Sequence, residues 1–96
     1  MLVEFHPKVQ DDLAHVVLYY DREEVGLGDG FLEDYRLTLK NVLRDATVYR
    51  KFYKDFRKLN FRRFKAFTVI YKVHKDAILI RAVADLRRDP KYWQHR

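Results

Sequence analysis

Cysteine and serine are both absent from this chain of 96 residues, and the only other aliphatic hydroxyls are Thr38, Thr47 and Thr68. Without cysteine there is no disulfide framework, no thiolate nucleophile and no thiolate metal site. Without serine the commonest hydroxyl nucleophile is missing as well. The four histidines (His6, His15, His74 and His95) do not fall at ligand spacing. Zinc sites draw on clustered His, Cys or carboxylates, so neither a metal nor a cofactor is expected. No apolar run approaches the roughly 20 residues needed to span a bilayer. The opening "MLVEFHPK" also lacks the basic region and apolar run of a signal peptide. These absences point away from a membrane and toward a soluble, cytoplasmic protein.

What is present argues for a packed fold. Apolar residues make up 48% of the chain and aromatics 16%, enough for one modest core and a single domain spanning residues 1–96. The net charge of +6 is unevenly divided. Residues 1–49 carry five Lys/Arg against ten Asp/Glu, a balance of −5, and residues 50–96 carry fifteen against four, a balance of +11. A basic half of this size attracts phosphate backbones or acidic proteins.

Periodicity supplies the elements. "LVEFH" (Leu2–His6) reads as a short strand that stops at Pro7, which has no N–H for a ladder. From Lys8 to about Glu24, Val9, Leu13, Val16, Val17 and Tyr20 recur every three or four residues, the apolar stripe of an amphipathic helix. "GLGDG" (Gly26–Gly30) breaks that helix, with glycine supplying positive-φ turn conformations. A second helical stripe follows through Phe31, Leu32, Tyr35, Leu39, Val42 and Leu43, so the two helices double back as an antiparallel hairpin. The glycine cluster is a poor phosphate loop, because no strand precedes it and Asp29 would repel an anion.

Beyond Asp45 the period changes to two. "RKLNFRRF", "AFTVIYKVH" and "AILIRAVADL" each alternate apolar and polar residues, and Lys75-Asp76 joins the last two as a hairpin. The expected fold class is α+β: a short N-terminal strand, a helical hairpin packed on an antiparallel sheet, and a short C-terminal helical segment. Strand parity places Lys58, Asn60, Arg62, Thr68, Lys72, Arg81, Asp85 and Arg87 together on the sheet face away from the helices. Several cations over one such face can clamp a phosphodiester or bear the charge that develops on its cleavage.

The ending "RRDPKYWQHR" combines four cations with a Tyr-Trp pair. Asp89 suits an N-cap and Pro90 a first helical position, so a last helical turn is expected. Trp93 is expected to anchor that turn to the body and Tyr92 to present its hydroxyl near Arg87. The pinned tail then holds its arginines at the rim of the basic face.

With these residues in view the chain resembles the RelE/ParE superfamily of type II toxin–antitoxin toxins. The resemblance runs through "VEFHPKVQDDLAHVVLYYDRE", "GLGDGFLEDY", the "RRF" and "VIYKV" segments and, above all, "AVADLRRDPKYWQHR". The "RRDPKYW" ending lies nearer the ParE-like branch. That branch implies a small cytoplasmic toxin acting on a protein target, DNA gyrase. It also implies control by a cognate antitoxin, an acidic and partly disordered chain that forms a hetero-oligomer with the toxin. The target-contact candidates are Arg81, Arg87, Arg88, Tyr92 and Arg96. The RelE-like branch implies instead a nuclease that cleaves messenger RNA on the ribosome, and its catalytic candidates fall on Lys58, Arg62, Arg87 and Tyr92. Against it, Asn60 stands where the nuclease pattern has a second Lys, and Thr68 where it has an Arg. The family's Phe-Pro-Tyr is replaced by Lys65-Ala66-Phe67, and its His by Asp85. A third reading, independent of toxicity, is a basic module that binds nucleic acid.

Overall fold

A computed structural model describes all 96 residues. Strand β1 (Leu2–Phe5) leads into helix α1 (Lys8–Glu23) and helix α2 (Leu27–Arg44). Strands β2 (Lys51–Tyr53), β3 (Phe56–Asn60), β4 (Phe67–His74) and β5 (Ala77–Asp85) follow, and helix α3 (Lys91–Gln94) closes the chain. The five strands form one sheet in the order β1-β5-β4-β3-β2. The four C-terminal strands run antiparallel, whereas β1 lies parallel to β5, with Val3 opposite Ile78. The sheet is thus mixed, with one strand more than the alternation indicated. Strand β2 escaped notice because "KFY" is three residues between charged neighbours, too short to display a period.

The helical hairpin begins earlier than the glycine cluster suggested. Only Gly26 takes a positive φ, +86°. Gly28 and Gly30 lie inside the opening of α2, so they serve a different purpose. The Asp21 carboxylate accepts the Gly28 N–H at 2.9 Å, and a Cβ at position 28 would approach that carboxylate to 2.7 Å. The end of α1 therefore caps the start of α2, a contact that needs the bare backbone of glycine.

The helices cover one face of the sheet around a cluster of 12 buried residues. Phe31 of α2 is at its centre, stacked on Phe61 with ring centroids 5.2 Å apart and edge-on to Phe67 at 5.1 Å. Tyr20 of α1 closes the cluster edge-on to Phe64 at 4.9 Å, a geometry that matches the positive edge of one ring to the negative face of another. Tyr71 donates its hydroxyl to the Ala46 carbonyl at 2.7 Å, which satisfies the one polar atom of a fully buried ring. Burial pushes that phenol up to about 12.

The opposite face carries a second core. Phe56, Ile70, Ala82, Ala84 and Trp93 are buried together, with Tyr53 and Tyr92 packed against them. Its composition follows from a β-bulge. Ile70 pairs with Ala82 but Tyr71 with Ile80, so Arg81 has no partner. The extra residue reverses the alternation of β5. Ile78, Ile80 and Val83 face the helices, whereas Ala82 and Ala84 face the tail. Strict parity had assigned Ile78, Ile80, Ala82 and Ala84 to one face.

Candidate functional site

The reversal at Arg81 divides the basic face expected from the sequence. Lys58 lies over the Phe52 ring at 4.8 Å, and Lys72 and Arg81 lie over Phe56 at 5.4 and 4.8 Å. These three remain on the face of Trp93. Arg87 lies on the helix side, 5.7 Å from the Phe67 ring, within the electrostatic reach of Tyr19 and Tyr20. Arg62 follows β3 and lines a cleft of about 220 Å³ with Asp34, Asn60 and Tyr49. The four candidates Lys58, Arg62, Arg87 and Tyr92 are therefore not gathered on one surface. Thr68, where the nuclease pattern carries Arg, is 0% exposed and its Oγ1 has no hydrogen-bond partner.

Arg87 is further constrained by Asp85. Its Nε and Nη2 reach the two carboxylate oxygens at 2.9 and 3.0 Å, and its N–H donates to Asp85 Oδ1 at 2.9 Å. Such a fork is the strong form of a charged hydrogen bond. Its bonds hold the Asp85 carboxyl below the ordinary carboxylate range and raise Arg87 above the ordinary arginine value. Arg87 is largely exposed, so solvent screens much of that attraction. Tyr92 accepts the Asp85 N–H on its hydroxyl at 3.0 Å, and Arg88, not Arg87, covers its ring at 3.7 Å. Burial raises the Tyr92 phenol.

The tail is fixed by two contacts. Trp93 is 3% exposed and meets Phe52, Tyr53 and Phe56 at centroid distances of 5.6 to 5.7 Å. Asp89 Oδ1 accepts the Lys91 N–H at 3.0 Å, opening the last turn. Arg96 turns inward instead of lining the surface. Its side chain, 6% exposed, makes a fork with Asp12 of α1, 9% exposed, at 2.8 and 2.5 Å, and also donates to the Arg81 carbonyl. Arg81 in turn donates to the Arg96 main-chain oxygen.

These bonds close the sheet where β1 ends. Beyond the His6 N–H, which donates to the Ile80 carbonyl, the outer edge of β5 has no strand beside it. Asp12 Oδ2 accepts the Val83 N–H at 3.0 Å, Tyr92 takes that of Asp85, and Arg96 donates to the Arg81 carbonyl. Side chains of α1 and the tail thus stand in for a missing strand, which satisfies an edge that would otherwise invite pairing. A cleft of about 690 Å³ opens outside them, lined by Lys8, His15, Asp85, Arg88, Tyr92 and His95 among others.

Two structural carboxylates escaped the sequence reading. Asp12 is not part of the apolar stripe of α1, yet its side chain is buried against Arg96. Asp34, 7% exposed, accepts the N–H groups of both Arg63 and Phe64 on one oxygen at 2.9 Å. The signal for Asp34 was available: it sits among Phe31, Tyr35 and Thr38, on the buried stripe of α2.

Comparison with known proteins agrees with this architecture. No curated protein matches the sequence. The Pseudomonas aeruginosa structure described as a chromosomal ParDE toxin–antitoxin system superposes with a TM-score of 0.79. It covers 90% of this chain and 96% of its own at 17% identity, a likeness of fold. The sequence model described as the ParE toxin of the type II toxin–antitoxin system parDE matches residues 3–90. The chain belongs to the ParE family, the toxin component of type II toxin–antitoxin systems.

Proposed function

We propose that this toxin acts in the cytoplasm by binding and inhibiting a protein target, DNA gyrase, and is neutralised by an acidic cognate antitoxin. The single observation that carries this reading is the dispersal of the nuclease candidates. Lys58 lies on the tail side of the sheet, Arg87 lies on the helix side in the grip of Asp85, and the Tyr92 hydroxyl bonds a backbone N–H. Transition-state charge is stabilised by fixed groups aimed at one point, and these groups share none. The exposed surface suits recognition of a protein instead. Tyr19 and Leu86 are exposed, and Arg87 and Arg88 lie beside the aromatic rings of Phe67 and Tyr92. Arginine and tyrosine are the residues that most often dominate binding energy at protein interfaces.

The test is plasmid supercoiling by purified gyrase. Stoichiometric toxin is expected to abolish supercoiling, the antitoxin to restore it, and Arg88→Ala with Tyr92→Ala to weaken inhibition at least tenfold. Unchanged supercoiling at excess toxin would remove the gyrase reading. Cleavage of messenger RNA on programmed ribosomes, lost with Arg87→Ala and Tyr92→Phe, would install the nuclease reading in its place.

A further inference from the structure

The tail side of the sheet carries a feature outside the Arg87–Arg88 surface proposed above for a protein target. Phe52, Tyr53 and Phe56 are packed with Trp93 into one aromatic cluster. Four cations stand over its rings: Lys54 over Tyr53 at 5.3 Å, Lys58 over Phe52 at 4.8 Å, Lys72 over Phe56 at 5.4 Å and Arg81 over Phe56 at 4.8 Å. Lys54, Lys58 and Lys72 are in no ion pair with a side-chain carboxylate, and Arg81 donates to the Arg96 main-chain oxygen. Phe52, at the rim of this cluster, is 41% exposed.

From this arrangement we infer that the tail face of β2, β3 and β4 is a binding surface for single-stranded nucleic acid. Three unpaired lysines attract a polyanion, and a half-exposed ring among them offers a flat apolar surface for a base. Single strands supply both, because their bases are free to stack while their phosphates lie within reach of the cations. A duplex keeps its bases stacked internally and offers Phe52 nothing to cover. On binding, the Lys58 ammonium exchanges the face of Phe52 for a phosphate, which its flexible stem allows, and a base takes its place. Of the residues named for the nuclease reading, Lys58 alone takes part, so no cleavage is implied. The inference does not rest on gyrase as target, since it is read on purified protein and naked oligonucleotide.

The experiment is fluorescence anisotropy with fluorescein-labelled twelve-nucleotide oligo(dT) and oligo(U), and with a mixed-sequence duplex of the same length, over a series of salt concentrations. Single strands are expected to bind at least tenfold more tightly than the duplex, with log K falling linearly in log salt. Phe52→Ala is expected to weaken single-strand binding by roughly tenfold, the scale of one lost base–aromatic stack. Phe52→Trp should restore it, and because ring 52 packs on Trp93, urea unfolding of both variants separates lost binding from a loosened tail. Lys58→Gln with Lys72→Gln should reduce the salt slope by about one to two units. Lys40→Gln on α2 should leave affinity unchanged. Equal affinity for duplex and single strand, or indifference to Phe52→Ala, would overturn the inference. So would a twelve-residue polyglutamate binding as tightly as the oligonucleotide, which would assign the face to an acidic protein segment.

Discussion

The two faces of the sheet are packed by different means. On the helix side, 12 buried residues from four elements and their connections form a core centred on Phe31. On the tail side, four buried residues surround Trp93, which arrives from the chain's last short helix. The first core is assembled by long amphipathic elements whose stripes meet wherever the helices lie on the sheet. The second depends on a four-residue helix, too short to be stable alone, held by one indole and one buried ion pair.

Substitutions can break or sharpen that contrast. Phe31→Ala should have the largest effect, costing about 4 kcal/mol in urea unfolding, because no neighbour can collapse into the space of a ring touching four others. Trp93→Ala should cost about 3 kcal/mol and, unlike Phe31→Ala, should expose the last ten residues to rapid amide exchange while the helical hairpin stays protected. A stability unchanged by Trp93→Ala would show that the tail core contributes nothing. Asp12→Ala should cost about 3 kcal/mol by stranding the buried Arg96 guanidinium. The double change Asp12→Leu with Arg96→Met should recover most of the loss, because a buried pair offsets its own desolvation poorly. Asp34→Ala, on the helix side, should cost about 2 kcal/mol by leaving two loop N–H groups without an acceptor.

The smallest effect concerns Asp85. Its carboxyl titrates below the ordinary value of 3.8 in the folded chain, chiefly through its bonds to Arg87. The stabilisation is therefore fully present above that value and is lost as pH falls through the lower, folded one. Asp85→Asn should lower stability by about 0.5 kcal/mol near pH 6, discounted for the exposure of Arg87. The difference from the parent should shrink in unfolding curves as the pH falls through the acidic range in which the folded carboxyl protonates. A difference that persists there would mean that the carboxylate charge is not the stabilising group.

The helix side was the more legible in the sequence. Val9, Val16, Tyr20, Phe31, Tyr35 and Val42 repeat at helical spacing, and Phe67, Val69, Tyr71, Ile78 and Ile80 alternate, so their shared burial could be written down from the pattern. The tail side was partly legible: the burial of Trp93 and the turn opened by Asp89 match the reading of "DPKYW". The candidate site fared less well, because its placement relied on unbroken alternation through Arg81. A single unpaired residue there moved Asp85 to the helix side and turned a continuous basic face into separate groups. No local signal in "ILIRAVAD" marks that residue as the bulge.

By itself the sequence determined the helical hairpin, the strand-rich second half, the acidic–basic division and the family signature, because hydrophobic period and composition are local properties. Tertiary structure decided that β1 lies parallel on β5, that Asp12 and Arg96 close the open edge of β5, and that Asp85 grips Arg87 on the face opposite Lys58. It also brought Phe52, from a strand too short to show any period, beside Trp93 from the far end of the chain. Each of these depends on which backbone groups and rings remain unpartnered after the strands have found their register. That register is set by packing across the whole sheet and not by any one segment of it.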